Sequence, residues 1–96
     1  MIPTDFIIQK KDQIVGRRIA GETILVPIRG NLADMERIFA LNPVGEYIWE
    51  RLDGIASMET ISRDIVAEFD VDAETANRDM RRFIAELIDQ DLVFKI

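Results

Sequence analysis

Apolar and polar positions alternate along the first part of the chain and recur every three to four residues along the rest. In "QIVGRRIA" (residues 13–20) and "ETILVPIRG" (residues 22–30) the alternation predicts two strands joined by a turn at Gly21. Ile24, Val26 and Ile28 fall on one face of the second strand, and Leu25, Pro27 and Arg29 on the other. Pro27 has no N–H to donate, so its side of the strand belongs at an edge or a bulge. Gly30 and Asn31 open a second turn, and "MERIFAL" (residues 35–41) reads as a third strand with Ile38 and Phe39 on opposite faces.

From Asn42 the period becomes helical. Asn42 is a good N-cap and Pro43 a good first helical residue, because the proline lacks only an N–H that would have no partner there. Val44, Ile48 and Leu52 lie at i, i+4 and i+8, Trp49 widens their stripe, and Gly54 offers a left-handed stop. Ser57 is placed to cap a second helix whose inner face holds Ile61, Ile65, Val66 and Phe69. Asp72 is placed to cap a third and longest helix with an apolar band of Ala76, Met80, Phe83, Ile84, Leu87 and Ile88. "LVFKI" (residues 92–96) closes the chain as an extended tail. Strands followed by helices predict an α+β domain, winged-helix-like, with a three-stranded antiparallel sheet (1–41) followed by a three-helix bundle and the tail (42–96). No internal repeat or linker divides the 96 residues, which suit a single domain.

Composition narrows the chemistry. The chain has neither cysteine nor histidine, which removes disulfides, thiolate metal sites and the commonest general base, and suits a reducing cytoplasm. The N-terminus has an acid at Asp5 and no basic start, so it does not read as a secretory signal. No apolar run approaches the roughly 18 residues of a membrane span. Cytoplasmic localisation without membrane association is expected. Asp70, Asp72 and Glu74 alternate as in a calcium loop, but the glycine and distal glutamate of such a loop are missing; capping and the helix dipole account for Asp72 and Glu74. No metal, no cofactor and no catalytic residue is assigned.

Charge is uneven. Residues 1–41 carry six basic and five acidic side chains, residues 42–96 six and thirteen. The segment from Ser57 to Asp91 has ten acids against four arginines. That weighs against a winged-helix DNA-binding regulator, although the third helix carries Asn77, Arg78, Arg81 and Arg82 where a recognition helix would need them.

The residues "ILVPIRG…IFALNPVGEYIWERLDG", with the acid-rich helical segment ending in "LIDQDLV", resemble the PqqD-like family, whose prototype is coenzyme PQQ synthesis protein D. The likeness spans roughly residues 6–94, and "LN-P-x-G-x-x-I-W-x-x-L-D-G" at 41–54 is its most specific part. It implies a RiPP recognition element: a non-catalytic adaptor that captures the leader of a ribosomally made precursor peptide and presents it to a modifying enzyme, often a radical-SAM protein, in PQQ-like or other pathways. In that family the leader adds as a strand to the third strand of the sheet and fills a groove against the third helix. Mapped here, the peptide-binding residues are Arg37, Ile38, Phe39, Ala40 and Leu41 of the strand with Asn77, Met80, Arg81, Phe83 and Ile84 of the helix.

Each has a plainer reading. Trp49 is expected in the core rather than as a ligand platform. Met80 and Phe83 suit a core as well as a peptide pocket. Glu74–Arg78 and Arg82 with Asp79 and Glu86 read as surface pairs. Arg81 has no acid within reach on its own helix, and with Asn77 it borders the Ile84–Ile88 side of the apolar band. It is either a solvated arginine or a charged rim for a peptide carboxylate. The strand edge that admits a peptide also admits a copy of itself, so a monomer or a strand-exchanged homodimer is expected.

Overall fold

The computed structural model describes residues 6–29, 32–33 and 38–96. The chain order is β1 (Ile7–Lys10), β2 (Ile14–Ile19), β3 (Glu22–Arg29), β4 (Leu32–Ala33), β5 (Phe39–Leu41), α1 (Pro43–Glu50), β6 (Asp53–Ser57), α2 (Met58–Phe69), α3 (Ala73–Asp89) and β7 (Val93–Lys95). The α+β class stands, with two small antiparallel sheets rather than one.

The first sheet is built on β3. Its partner β2 runs in register from Ile14↔Pro27 to Ile19↔Glu22 around a two-residue turn. Ala20 and Gly21 both adopt positive φ there (52° and 82°), the mirror-image turn whose twist matches a hairpin. The other edge of β3 is shared by β4 (Ile28↔Ala33, Arg29↔Leu32) and β5 (Thr23↔Leu41, Ile24↔Ala40, Leu25↔Phe39). Between these two ladders β3 advances three residues, from Ile28 to Leu25, while the opposing chain advances six, from Ala33 to Phe39. Val26 and Pro27 face that interruption. The N–H of Ile28 donates to Gln13 O at 2.7 Å, toward β2, so alternation turns the Pro27 position toward the gap. Among the described residues no strand pairs with Pro27 on that side, in keeping with its edge-or-bulge reading.

The second sheet, in the order β6–β1–β7, was not anticipated from the sequence, except that the tail was expected to be extended. β1 pairs with β7 (Gln9↔Phe94, Lys10↔Val93) and, through an irregular register, with β6 (Ile7↔Ser57, Gln9↔Asp53). Gly54 belongs to this strand and not to the end of α1. The helix stops at Glu50, capped by Arg51, whose N–H donates to Ile48 O at 2.9 Å, while the next N–H, of Leu52, donates to Trp49 O at 3.2 Å. Gly54 keeps the expected left-handed conformation (φ 78°). It lies within β6, where its positive φ is one that glycine adopts at least cost, and a Cβ there, 2.1 Å from Gln9 Oε1, would also require the end of that side chain to shift.

The three helix starts are as read from the sequence. Asn42 Oδ1 accepts the Gly45 N–H at 2.7 Å, Ser57 Oγ the Thr60 N–H at 3.2 Å, and Asp72 Oδ1 the Thr75 N–H at 2.7 Å. Their apolar faces close on the sheets around Ile8, Leu25, Ile48, Leu52, Ile61, Ile65 and Leu87, all buried. Trp49 belongs to this core at 9% exposure, with the Lys10 ammonium 5.4 Å from the ring centroid. The expected helical pairs are not formed among the described residues. Arg78 leans on its neighbour Asp79 (3.7 Å), and the α2 pair is Arg63–Glu59 (3.7 Å). All are exposed side chains whose flexibility outweighs one weak attraction.

One polar cluster ties the hairpin to α1. Glu46 accepts from Thr23 Oγ1 at 2.7 Å and from Arg18 Nη1 at 3.0 Å. The Thr23 hydrogen bond, opposed by partial desolvation and aided by Arg18, holds the Glu46 carboxyl below its ordinary range.

Two outcomes are expected. Trp49→Ala removes a buried ring and should lower stability by about 3–5 kcal/mol in urea unfolding, while an unchanged midpoint would take the ring out of the core. Glu46 contributes stability above the ordinary glutamate pKa and loses it as pH falls through the depressed folded value. Glu46→Gln should therefore flatten the acid side of the stability–pH profile. Parallel profiles for parent and variant would remove Glu46 from that role.

Candidate functional site: the open edge of β5 beside α3

β5 is three residues long and pairs, among the described strands, with β3 alone. Its orientation follows from the ladder beside it. Because Glu22, Ile24, Val26 and Ile28 turn their backbone groups toward β2, Thr23 and Leu25 turn theirs toward β5. Leu41 and Phe39 therefore spend their N–H and C=O groups on β3. Ala40, between them, directs its N–H and C=O away from the sheet into the open edge. Leu41 is buried, Phe39 half-buried, and Ala40 and Ile38 are exposed.

Beside this edge lies a hollow of about 210 Å³ between the start of α1 and α3. Val44, Gly45, Ile48 and Phe83 supply its apolar surface, and Asp79, Arg82 and Glu86 stand around it. Phe83 faces Phe39 with ring centroids 6.2 Å apart, joining the hollow to β5. Gly45 makes this contact possible. A Cβ on it would approach the Phe83 ring to 3.2 Å at Cε1 and 3.3 Å at Cζ, so the glycine lets α1 slip beneath the ring. Asp79, Arg82 and Glu86 recur at i, i+3 and i+7 on the flank of α3 that carries Phe83. Arg82 forms no ion pair among the described residues, leaving its guanidinium and the Glu86 carboxylate available to a ligand.

The residues singled out from the sequence fall into three groups. Ile38, Phe39, Ala40, Leu41 and Phe83 come together at the β5 edge, and Arg37 lies outside the described residues. Met80 and Ile84 are core side chains at 3% exposure each. Asn77 and Arg81 lie on the Ile84–Ile88 side of α3, as the helical angle predicted, but that flank looks onto Phe6 and Met58 and not onto β5. Arg81 does not share the hollow of Phe83. Sequence reasoning passed over Val44, Gly45, Asp79, Arg82 and Glu86. The available signal was that Asp79, Phe83 and Glu86 share one helical stripe; taking the charges as mutual partners hid it.

Among the described residues no group of three acidic side chains converges as a metal site, and no helix is long and apolar enough to cross a membrane.

The family model for coenzyme PQQ synthesis protein D matches residues 22–93, three quarters of the chain. The chain belongs to the PqqD family. A solved structure entitled "TbiB1 in Complex with the TbiA(beta) Leader Peptide" is 30% identical in sequence, with a TM-score of 0.70 over 88% of this chain and 93% of that one. No curated protein matches the sequence. The match to the PqqD family begins at β3 and ends in β7, so it contains β5, α1 and α3, which build the edge and its hollow.

Gly45→Ala should push the Phe83 ring off its seat, weakening the Phe39–Phe83 inter-ring NOE and costing about 1–3 kcal/mol of stability. An NOE of parental strength would mean that the Asn42 side chain yields instead, 3.2 Å from the same Cβ position.

Proposed function

We infer that this protein is a non-catalytic peptide-binding adaptor, a RiPP recognition element. It captures the leader of a ribosomally made precursor by strand addition along β5 and presents it to a modifying enzyme, of which a radical-SAM protein is the favoured kind. The observation that carries this reading is the outward N–H and C=O of Ala40 beside the Phe39–Phe83 hollow. Main-chain groups there are free to pair, and a pocket beside them receives an inward side chain, the two requirements of β-augmentation. TbiB1, a similar protein, is seen with a leader peptide. β2 also has an edge that no described strand covers, but it is largely exposed along its length.

The same reading assigns one domain to residues 1–96, acting in the cytoplasm, monomeric or as a strand-exchanged homodimer through the β5 edge. DNA binding is not favoured: the acids of α2 and α3 would face the duplex on either side of any arginine contact. Catalysis has no support in a chain without histidine or cysteine.

Ala40→Pro provides the test. It deletes the outward donor without taking a bond from β3, and proline demands the extended conformation its neighbour Phe39 already has. The variant should unfold near the parental temperature yet bind a leader-length peptide, selected by display against the parent, at least about tenfold more weakly. Parental affinity, or an Ala40 amide shift that the bound peptide leaves unmoved, would eliminate strand addition at β5.

A further inference from the structure

The far flank of α3 carries a second hollow, also of about 210 Å³ and much more apolar than the one beside β5. Met58, Met80 and Ile84 form its floor, all buried. Phe6 and Ile88 form its sides, Ile88 being 48% exposed, and Asn77 and Arg81 stand at its mouth. Among the described residues no acidic side chain lines it. Arg81 is exposed and has no acidic group within ion-pair distance among the described residues, and Lys95 lies 5.2 Å over the Phe6 ring. Arg81 thus sets a cation at the mouth of an apolar hollow, in the half of the chain where acids outnumber bases thirteen to six.

The hollow cannot be served by the peptide strand on β5. Phe83 and Arg81 are two residues apart on a helix, so they project about 200° apart around its axis. An extended segment paired with β5 meets the first and not the second, and both faces of α3 can be filled at once. An adaptor needs that arrangement, because it must hold its peptide and its enzyme together.

We propose that the hollow between Phe6 and Ile88 is the docking site for the modifying enzyme. It receives a segment of that enzyme in which a bulky apolar side chain is followed by a carboxylate. The apolar side chain enters over Met80 and Ile84, and the carboxylate pairs with Arg81 while Asn77 supplies a further hydrogen bond. Partly apolar surroundings make such a pair stronger than one on open surface, and the Arg81 charge repels basic segments. This assignment rests on the adaptor reading above.

The probe is the blocked dipeptide acetyl-Leu-Asp-amide, added at millimolar concentration to isotope-labelled protein and followed by amide shifts. Shifts should cluster at Phe6, Asn77, Arg81, Ala85 and Ile88, and the fitted affinity should fall at least about fivefold in Arg81→Glu and for acetyl-Leu-Asn-amide. Equal binding of the acidic and amide probes, or shifts centred on Ala40 and Phe83, would overturn the proposal. Arg81→Glu should bind the display-selected peptide as the parent does. Loss of that peptide in Ala40→Pro tests the adaptor reading separately, so failure of either is recognised without the other.

Discussion

The hydrogen bond from the Gly45 N–H to Asn42 Oδ1 is the joint on which the site hangs. It ends a strand and starts a helix within one residue, so Leu41 can be buried in the core while Pro43 already has helical geometry. A looser connection would let β5, only three residues long, swing on its few bonds to β3. The same two residues set the height of α1 beneath Phe83, because the absent Cβ of Gly45 and the Asn42 carboxamide share the space next to the ring. Cap, strand end and aromatic contact are therefore one arrangement, and the site inherits its rigidity from it.

Local signals were legible because local physics decides them. The three N-caps, the Ala20–Gly21 turn and the buried stripe of α1 depend on residues within a turn or two of one another, and each appears where the sequence places it. The second sheet was hidden for the opposite reason. β1 meets β6 and β7 across most of the chain, and β6, "DGIAS", has neither alternation nor β-branched enrichment apart from Ile55. Its extended form comes from its neighbours. Asp53 Oδ1 accepts the Ile55 and Ala56 N–H groups, and the positive φ at position 54 favours glycine.

The site was half legible. Strand residues 38–41 and Phe83 were reached through the family resemblance, and the structure gives them a shared edge. Angular position on α3 was also read correctly, since Asn77 and Arg81 do border Ile84 and Ile88. What periodicity does not contain is which flank of an amphipathic helix meets which strand. A helical wheel fixes the buried stripe but leaves the two borders equivalent. Only the packing of Phe83 on Phe39 breaks that equivalence, and it turns Asp79, Arg82 and Glu86 toward the β5 edge and Arg81 away from it.

The pairing of β1 with β7 has a consequence for how such a module travels. The Ile96 N–H donates to Ile7 O at 2.9 Å, and Lys11 pairs with Asp91 at the other end of the β1–β7 ladder, so the two terminal strands run side by side. Domains with adjoining ends can be spliced into a loop of another protein without stretching either partner. The edge of β5 belongs to the other sheet, so neither junction would obstruct it. The architecture suits a free-standing adaptor and a cassette carried inside a larger enzyme equally well.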